Sequence, residues 1–308
     1  MFQFVLKRIV HSIPVLFLVA TLTFFIIRVA PGGPFSLEKD VPEEILATLN
    51  KHYGLDKPLY AQYFDYIRGL LKGDLGPSFQ YPNRTVSEMI IESFPVSIEL
   101  GLEAILFALI VGMLVGIVAS TAPNSLRDYV PMSFVMMGIC IPSFVLGPVL
   151  IWIFAIKLPW FNSSGWTSVS DRILPVITLG SMYAANIARL VRTSMLEMLS
   201  QDFVRTARAK GLTECGIVMK HCLKGGVAPV ISYLGPTIAG LITGAFVVET
   251  IFQIPGLGKL FVLAAFNRDY TMISGTVLFF AVMIVILNTI VDIIRILLDP
   301  KRSFDEKQ

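Results

Sequence analysis

Six stretches of the chain stay apolar for more than about 18 residues, the length a helix needs to cross the roughly 30 Å hydrocarbon layer of a bilayer. They cover residues 9–27, 97–121, 130–156, 173–196, 227–252 and 272–298. The pattern predicts an all-α integral membrane protein with six transmembrane helices. Lys7 and Arg8 precede the first run as they would in a secretory signal, but its core is too long and the following "RVAPGGP" holds no A-x-A cleavage site. The run reads as an uncleaved anchor.

The polar stretches between the runs divide the chain. Residues 1–28 hold the N-terminus and first span, 29–94 a helical segment outside the membrane, 95–298 a five-helix core with a long loop at 197–226, and 299–308 a tail. In 29–94 the punctuation is that of short folded helices. "DVPEEILATLNKHYG" sets Pro42 near a first turn, Glu43 and Glu44 beside the positive end of the dipole and Gly54 as a stop. "KPLYAQYFDYIRGLLKG" repeats this with Pro58 and Gly73, and Thr85 with Glu88 in "TVSE" forms a capping box.

Inside the apolar runs, Pro131, Pro142 and Pro148 predict a bent third span. Gly112-x3-Gly116, and Gly240-x3-Gly244 with Gly235, permit close helix packing. Glu99 and Glu103 fall at the start of the second run, where a helix dipole favours anions, and Asp292 is spaced to pair with Arg295. Neither set makes a proton relay at the midplane, which counts against a self-contained carrier.

Composition agrees with the pattern: 55% hydrophobic and 15% charged residues, with a mean hydropathy of +0.72, do not suit a soluble domain. The net charge of +3 supports no nucleic-acid partner. Distribution of charge is more informative than its sum. An N-terminus in the cytosol leaves Lys7, Arg8, Arg127, Arg189, Arg192, Arg205, Arg208, Lys210, Lys220, Lys224, Lys301, Arg302 and Lys307 inside, against Lys157, Arg172, Lys259 and Arg268 from short outer loops. Both termini and the loop 197–226 are therefore expected in the cytosol.

No reaction motif is visible. In "IPGLGKL" Gly258 and Lys259 stand in P-loop order, but Gln253 and Leu260 occupy the other required places. His11, His52 and His221 are dispersed, there is no HExxH, and Ser181 beside Gly180 reads as a small packing residue rather than a nucleophile. Cys140, Cys215 and Cys222 have no paired or metal-ligand spacing and read as free thiols. No cofactor is expected on this chain, and any energy must come from another one.

The loop does carry one distinctive stretch, "QDFVRTARAKGL" at 201–212. At 3.6 residues per turn Phe203, Ala207 and Lys210 share one stripe, with Val204, Arg208 and Gly211 on the next. Ala207 and Ala209 keep this helix thin, and Gly211 suits a helix stop. A thin cationic helix can enter a groove on another protein; a basic loop held near anionic lipid is the plainer reading.

The stretch resembles the EAA loop of binding-protein-dependent ABC importer permeases, whose form is E-A-A, three residues, then G. Arg205, Thr206 and Ala207 occupy the E-A-A places and Gly211 the glycine, so only Ala207 and Gly211 match strictly. "RTARAKGL" is the form of the peptide and nickel branch, while the family's "LP" ending departs here, Leu223 being followed by Lys224 with the proline at Pro229. "GLDKPLYAQYFDYI", "GDLGPSF", "FPVSIELG", "VETIFQIPGLGKL" and "NRDY", in that order, are similar to the B-type membrane subunit of oligopeptide importers.

The resemblance implies a type I ABC importer permease fold and a multi-pass subunit of the bacterial cytoplasmic (inner) membrane. It implies three kinds of partner besides lipid: a second homologous permease, two cytosolic ATP-binding subunits holding ATP and Mg²⁺, and an extracytoplasmic peptide-binding protein. Arg205, Thr206, Ala207, Arg208, Ala209, Lys210 and Gly211 become the expected coupling segment. In the stretch 249–270, Pro255, Gly256 and Gly258 are expected as a turn, "KLFVLAAF" as a short interfacial helix, and Arg268 with Asp269 as an ion pair, together an outer gate or docking element. Cargo of the branch includes oligopeptides, dipeptides and nickel chelates. A self-contained carrier or channel and an intramembrane enzyme remain as rival classes.

Overall fold

A computed structural model describes residues 2–30, 32–35 and 42–298. The expected tail at 299–308 lies outside them, as does the side chain of Arg295. In chain order the helices are α1 (Phe2–Val29), α2 (Glu43–His52), α3 (Leu59–Leu71), α4 (Val86–Thr121), α5 (Leu126–Cys140) and α6 (Ser143–Leu150), which continues as a π-helical turn (Ile151–Lys157). There follow α7 (Val169–Leu199), α8 (Asp202–Ala209), α9 (Glu214–Gly216), a second π-helical segment (Ile217–Cys222), α10 (Leu223–Gly226), α11 (Ala228–Gly244), α12 (Phe246–Ile251), α13 (Leu257–Asn267) and α14 (Tyr270–Leu298). Among the described residues extended pairing is limited to one isolated bridge, Pro77 with Thr85.

Four segments are long and apolar enough to cross a membrane: Val10–Val29, Val86–Thr121, Val169–Leu199 and Tyr270–Ile293. A fifth arises if Leu126–Cys140 and Ser143–Lys157, bent by 113°, make one broken span. The count of six is therefore not reached by length and composition among the described residues. Two breaks account for the difference. Ile141, directly before Pro142, is pushed to an extended conformation (φ −100°, ψ 115°), as pre-proline residues are, and α5 ends there. The run 227–252 is divided at Ala245 into the 17-residue α11 and the 6-residue α12.

The chain forms two compact units, Met1–Ser97 with Pro255–Thr289, and Ile98–Ile254 with Ile290–Gln308. In the first, Pro42 and Pro58 stand immediately before α2 and α3, and Gly54 and Gly73 follow those helices with φ of +66° and +76°. The capping box is present: Thr85 N–H donates to Glu88 at 3.1 Å and Glu88 N–H to Thr85 Oγ1 at 3.3 Å. It starts α4, which runs without interruption through Pro95, so the division expected between 94 and 95 falls inside a helix. Val86, Met89, Ile90, Leu257, Ala264 and Met272 form the unit's apolar core.

In the second unit α7 is the central helix, burying Leu174, Ala184, Ile187, Ala188, Val191 and Met195 along one side. The Gly112-x3-Gly116 spacing brings α4 onto it. A Cβ on either glycine would stand 2.7 Å from a backbone oxygen, of Ala184 or of Ala188. On α5, a Cβ at Gly138 would lie 2.6 Å from Ser181 O, which gives Ser181 the packing role its size suggests.

Two ionic groups join these helices. Asp128 in the first turn of α5 is almost completely buried and takes Arg192 of α7 in a bidentate pair at 2.6 and 2.7 Å. Arg172, also on α7, bonds both Glu99 and Glu103 of α4, the latter at 2.7 Å, while Trp166 Nε1 donates to Glu99 at 2.9 Å. The dipole explanation for Glu99 and Glu103 is thereby corrected: α4 begins at Val86, so both carboxylates lie deep in the helix and are held by a cation instead.

Candidate functional site

The expected coupling segment folds as α8 and its C-terminal stop. Asp202 sits in the first turn, where an anion suits the dipole, and Lys210 caps the other end. Gly211 follows with φ +76°, a conformation that costs a side-chain-bearing residue, and the space around it is open. Gly211 N–H bonds Arg208 O at 2.9 Å and Leu212 N–H bonds Ala207 O at 3.3 Å, closing the last turn.

Only two side chains of α8 point inward, Val204 at 0% and Ala207 at 6% exposure. They belong to a cluster with Met195 of α7 and with Ile217, Val218 and Cys222 of the second π-helical segment. Burial of Ala207 corrects the expected grouping. Ala207 and Phe203 do not present a common surface, because Phe203 is 40% exposed. The small side chain seats α8 on its own chain rather than thinning the outer face.

That outer face combines Phe203 and Leu212, both substantially exposed, with Arg205, Thr206, Arg208, Ala209 and Lys210. Arg205 lies 3.6 Å from Asp202 and is largely in solvent. Arg208 forks onto Glu214 at 2.7 and 3.1 Å, tying the end of α8 to α9. This bond holds the Glu214 carboxyl below its usual range and raises the Arg208 guanidinium. Burial pushes the Cys222 thiol up, although Arg208 nearby acts the other way. The result is a braced, cationic ridge with two exposed apolar side chains. Sequence reading missed Leu212 and the Glu214 brace. A carboxylate six residues beyond Arg208 was the available signal.

The outer candidates all lie in the first unit. Pro255 and Gly256 precede α13, with Gly256 at the N-cap in extended backbone. Gly258 is not part of that turn; it is buried inside α13. The expected short helix is α13 itself, ended by Arg268 in the left-handed conformation at φ 56°. Asp269 is buried and receives Ser78 Oγ, Phe79 N–H at 3.2 Å, Thr271 Oγ1 at 3.0 Å and Met272 N–H at 3.1 Å. Its bond to Met272 caps the start of α14, and its bonds to Ser78 and Phe79 fix the turn before α4.

Comparison with known proteins supplies a family context for both sets of residues. Residues 108–304 match the family model described as binding-protein-dependent transport system inner membrane component, and residues 1–101 match its N-terminal companion. The oligopeptide transport system permease protein OppB of Haemophilus influenzae is 45% identical over 98% of this chain and 99% of its own length. The OppB of Salmonella typhimurium is 44% identical over the same shares. The dipeptide transport system permease protein DppB of Bacillus subtilis is 41% identical over the full length of both. A crystal structure of an amino acid ABC transporter with histidines superposes with a TM-score of 0.51 at 14% identity, covering 68% of this chain and 93% of that one; this likeness concerns the fold alone.

Proposed function

The chain belongs to the family of binding-protein-dependent transport system inner membrane components, and we propose that it forms one half of the translocation pathway of an ATP-driven importer of oligopeptides. The cargo reading is supported by the two OppB relatives, which cover nearly the whole chain. A dipeptide cargo has the support of the Bacillus subtilis relative, at somewhat lower identity.

In this reading the other half of the pathway is a second, homologous permease. Two cytosolic subunits hold ATP and Mg²⁺ and supply the free energy, and an extracytoplasmic binding protein delivers peptide. Both termini and α8 face the cytosol, in keeping with the excess of lysine and arginine on that side. The observation that carries the coupling role is the construction of α8: a helix seated by Val204 and Ala207 alone, with the remainder of its surface open. Phe203 and Leu212 enter a groove of an ATP-binding subunit, and Arg205 and Lys210 meet its acidic rim. Closure of the nucleotide-binding pair then moves α8, and α7 moves with it because both share one packed cluster.

Reconstitution tests this directly. Proteoliposomes holding the chain, its homologous partner and both ATP-binding subunits should accumulate a tetrapeptide when ATP and binding protein are supplied, and Phe203→Ser with Leu212→Ser should lower ATPase copurification. Uphill uptake by the chain alone, or unchanged uptake after those substitutions, would overturn the proposal. Uptake of dipeptides in preference to tetrapeptides would move the cargo to the second reading.

A further inference from the structure

The segment 29–94 is joined to α1 through α3, and the level of that joint limits what surrounds α3. Val10–Val29 is an apolar stretch of 20 residues, a length of about 30 Å that matches the hydrocarbon layer and leaves nothing over. The bonds and ring contacts of α3 with α1 fall between Thr21 and Arg28, inside that stretch. The Tyr63 hydroxyl meets Thr21 Oγ1 at 2.8 Å; Thr21 gives its own proton to Phe17 O at 2.8 Å, so the phenol is the donor. Arg28 Nε donates to Gln62 Oε1 at 3.2 Å. Phe24, which is buried, meets the rings of Tyr63 and Tyr66 with centroids at 5.3 and 5.4 Å, and Phe25 stacks on Tyr63 at 5.4 Å. Thr21 stands about 12 Å along the helix from Val29 at 1.5 Å per residue. α3 therefore lies at the edge of the hydrocarbon layer rather than above it.

The rest of the α3 surface divides into two sectors. At 3.6 residues per turn Tyr60, Phe64, Ile67 and Leu71 fall within about 60° of one another, beside Tyr63 on the packed face. Tyr60 and Phe64 are each 68% exposed and Leu71 85%. Asp65, Arg68 and Lys72 occupy the next sector and are exposed too, with Asp65 paired to Lys57 at 2.6 Å. In order around the helix come a face packed on α1, a bare apolar face and a charged face. Left in water, the apolar face would be unfavourable. In the interface it is the arrangement a surface-lying helix needs, with rings and Leu71 toward the acyl chains and cations toward the phosphates. The bare sector is also continuous with the exposed side of α1. Phe25, 39% exposed, stacks on Tyr63, whose ring lies 6.1 Å from that of Phe64.

We propose that α3 is an interfacial helix, with Tyr60, Phe64 and Leu71 inserted into the leaflet at the C-terminal end of α1 and Arg68 and Lys72 at the level of the phosphates. The partner of this face is the phospholipid layer. Such a collar fixes the depth of α1 and gives the segment 29–94 a base on the membrane surface. The assignment requires only that α1 cross the bilayer. It is independent of cargo, of sidedness and of the coupling role of α8.

Spin labels test it on the full-length chain in phosphatidylcholine nanodiscs, with Cys140→Ser and Cys215→Ser removing the exposed thiols. Labels at Tyr60→Cys, Phe64→Cys and Leu71→Cys should collide several-fold more with molecular oxygen, which concentrates among acyl chains, than with a water-soluble nickel chelate. At Arg68→Cys and Lys72→Cys the preference should reverse. Hydroxyl-radical footprinting of the unsubstituted protein gives a check that no substitution can disturb. Tyr60 is more exposed than Tyr81, 68% against 39%, so in water it would oxidise faster, whereas lipid cover should make it the slower of the two. Chelate-dominated collisions at Phe64→Cys, or faster oxidation of Tyr60 than of Tyr81, would overturn the assignment and leave the face free for a soluble protein. Labels at 60, 64 and 71 shielded from both reagents would overturn it as well, because protein rather than lipid would then cover them.

Discussion

Gly211 has open space where a Cβ would stand, so what a side chain costs there is backbone strain, not collision. Asparagine tolerates the left-handed region and a β-branched residue does not. Gly211→Asn should therefore keep ATP-driven uptake close to wild type, whereas Gly211→Val should lose most of it, the strain of about 1–2 kcal/mol shifting the last turn of α8. Equal activity of the two variants in proteoliposomes would remove the conformational argument. Ala207 behaves in the opposite way. Because it is buried, Ala207→Leu should overpack the cluster beneath α8 and lower thermal stability by about 1–3 kcal/mol, seen by melting the detergent-solubilised protein. Glu214 adds a pH dependence. Its carboxyl is held below the ordinary range by Arg208, so the brace is present at neutral pH and is lost only as pH falls through that lowered value. Hydrogen exchange of residues 208–214, corrected for intrinsic rate, should be flat from pH 8 to pH 6 in wild type and uniformly faster in Glu214→Gln. The role of Gly211 was legible from its position after a helical run. The inward turn of Ala207 was not, because the surface that buries it comes from Ile217, Val218 and Cys222, after the chain has reversed.

Among elements, a close helix approach at Gly112 and Gly116 was legible, while its partner α7 and the ionic ties were not. The spacing of Gly112 and Gly116 is a local signal, and the atoms it admits are the backbone oxygens of Ala184 and Ala188. Gly116→Leu should then lower the melting midpoint more than the same change at Gly33, which has open space and no left-handed backbone, because a backbone oxygen cannot move aside as a flexible side chain can. The Asp128–Arg192 pair joins residues 64 apart and has no sequence signature. Removing Asp128 strands a guanidinium that is itself about one-quarter exposed, so Asp128→Ala should cost less than the 3–5 kcal/mol of a fully buried pair, about 2 kcal/mol. The doubly substituted Asp128→Ala, Arg192→Met should recover part of that loss in a melting experiment; additivity of the two single changes would show that the pair has no coupling. Length counting misplaced the start of α4 for a related reason. Hydropathy marks where a helix is apolar, while Thr85 and Glu88 mark where it begins, and the two points are separated by the polar turns containing Glu88 and Glu92.

For the whole molecule, the all-helical class and the family were legible because hydropathy and several separated phrases extend along the chain, whereas the breaks at Pro142 and Ala245, which leave four or five long apolar segments among the described residues, fall in runs that composition alone leaves continuous. Sidedness is the property from which the proposed function follows, and the cysteines can report it. Cys215 is exposed and lies just beyond α8, while Cys222 is buried. Lys72, exposed at the end of α3, belongs to the expected outer segment. In right-side-out vesicles, with Cys140→Ser to silence the apolar position, a membrane-impermeant maleimide should label a Lys72→Cys protein that lacks Cys215 without permeabilisation. The protein retaining Cys215 should react only after the membrane is opened. Cys222 should stay unreacted in both conditions, because burial both hides its thiol and raises it out of the thiolate form that the reagent needs. Labelling of Cys215 from outside would put α8 on the wrong face for a cytosolic ATPase, and the coupling role would fall even if every packing contact described above were correct.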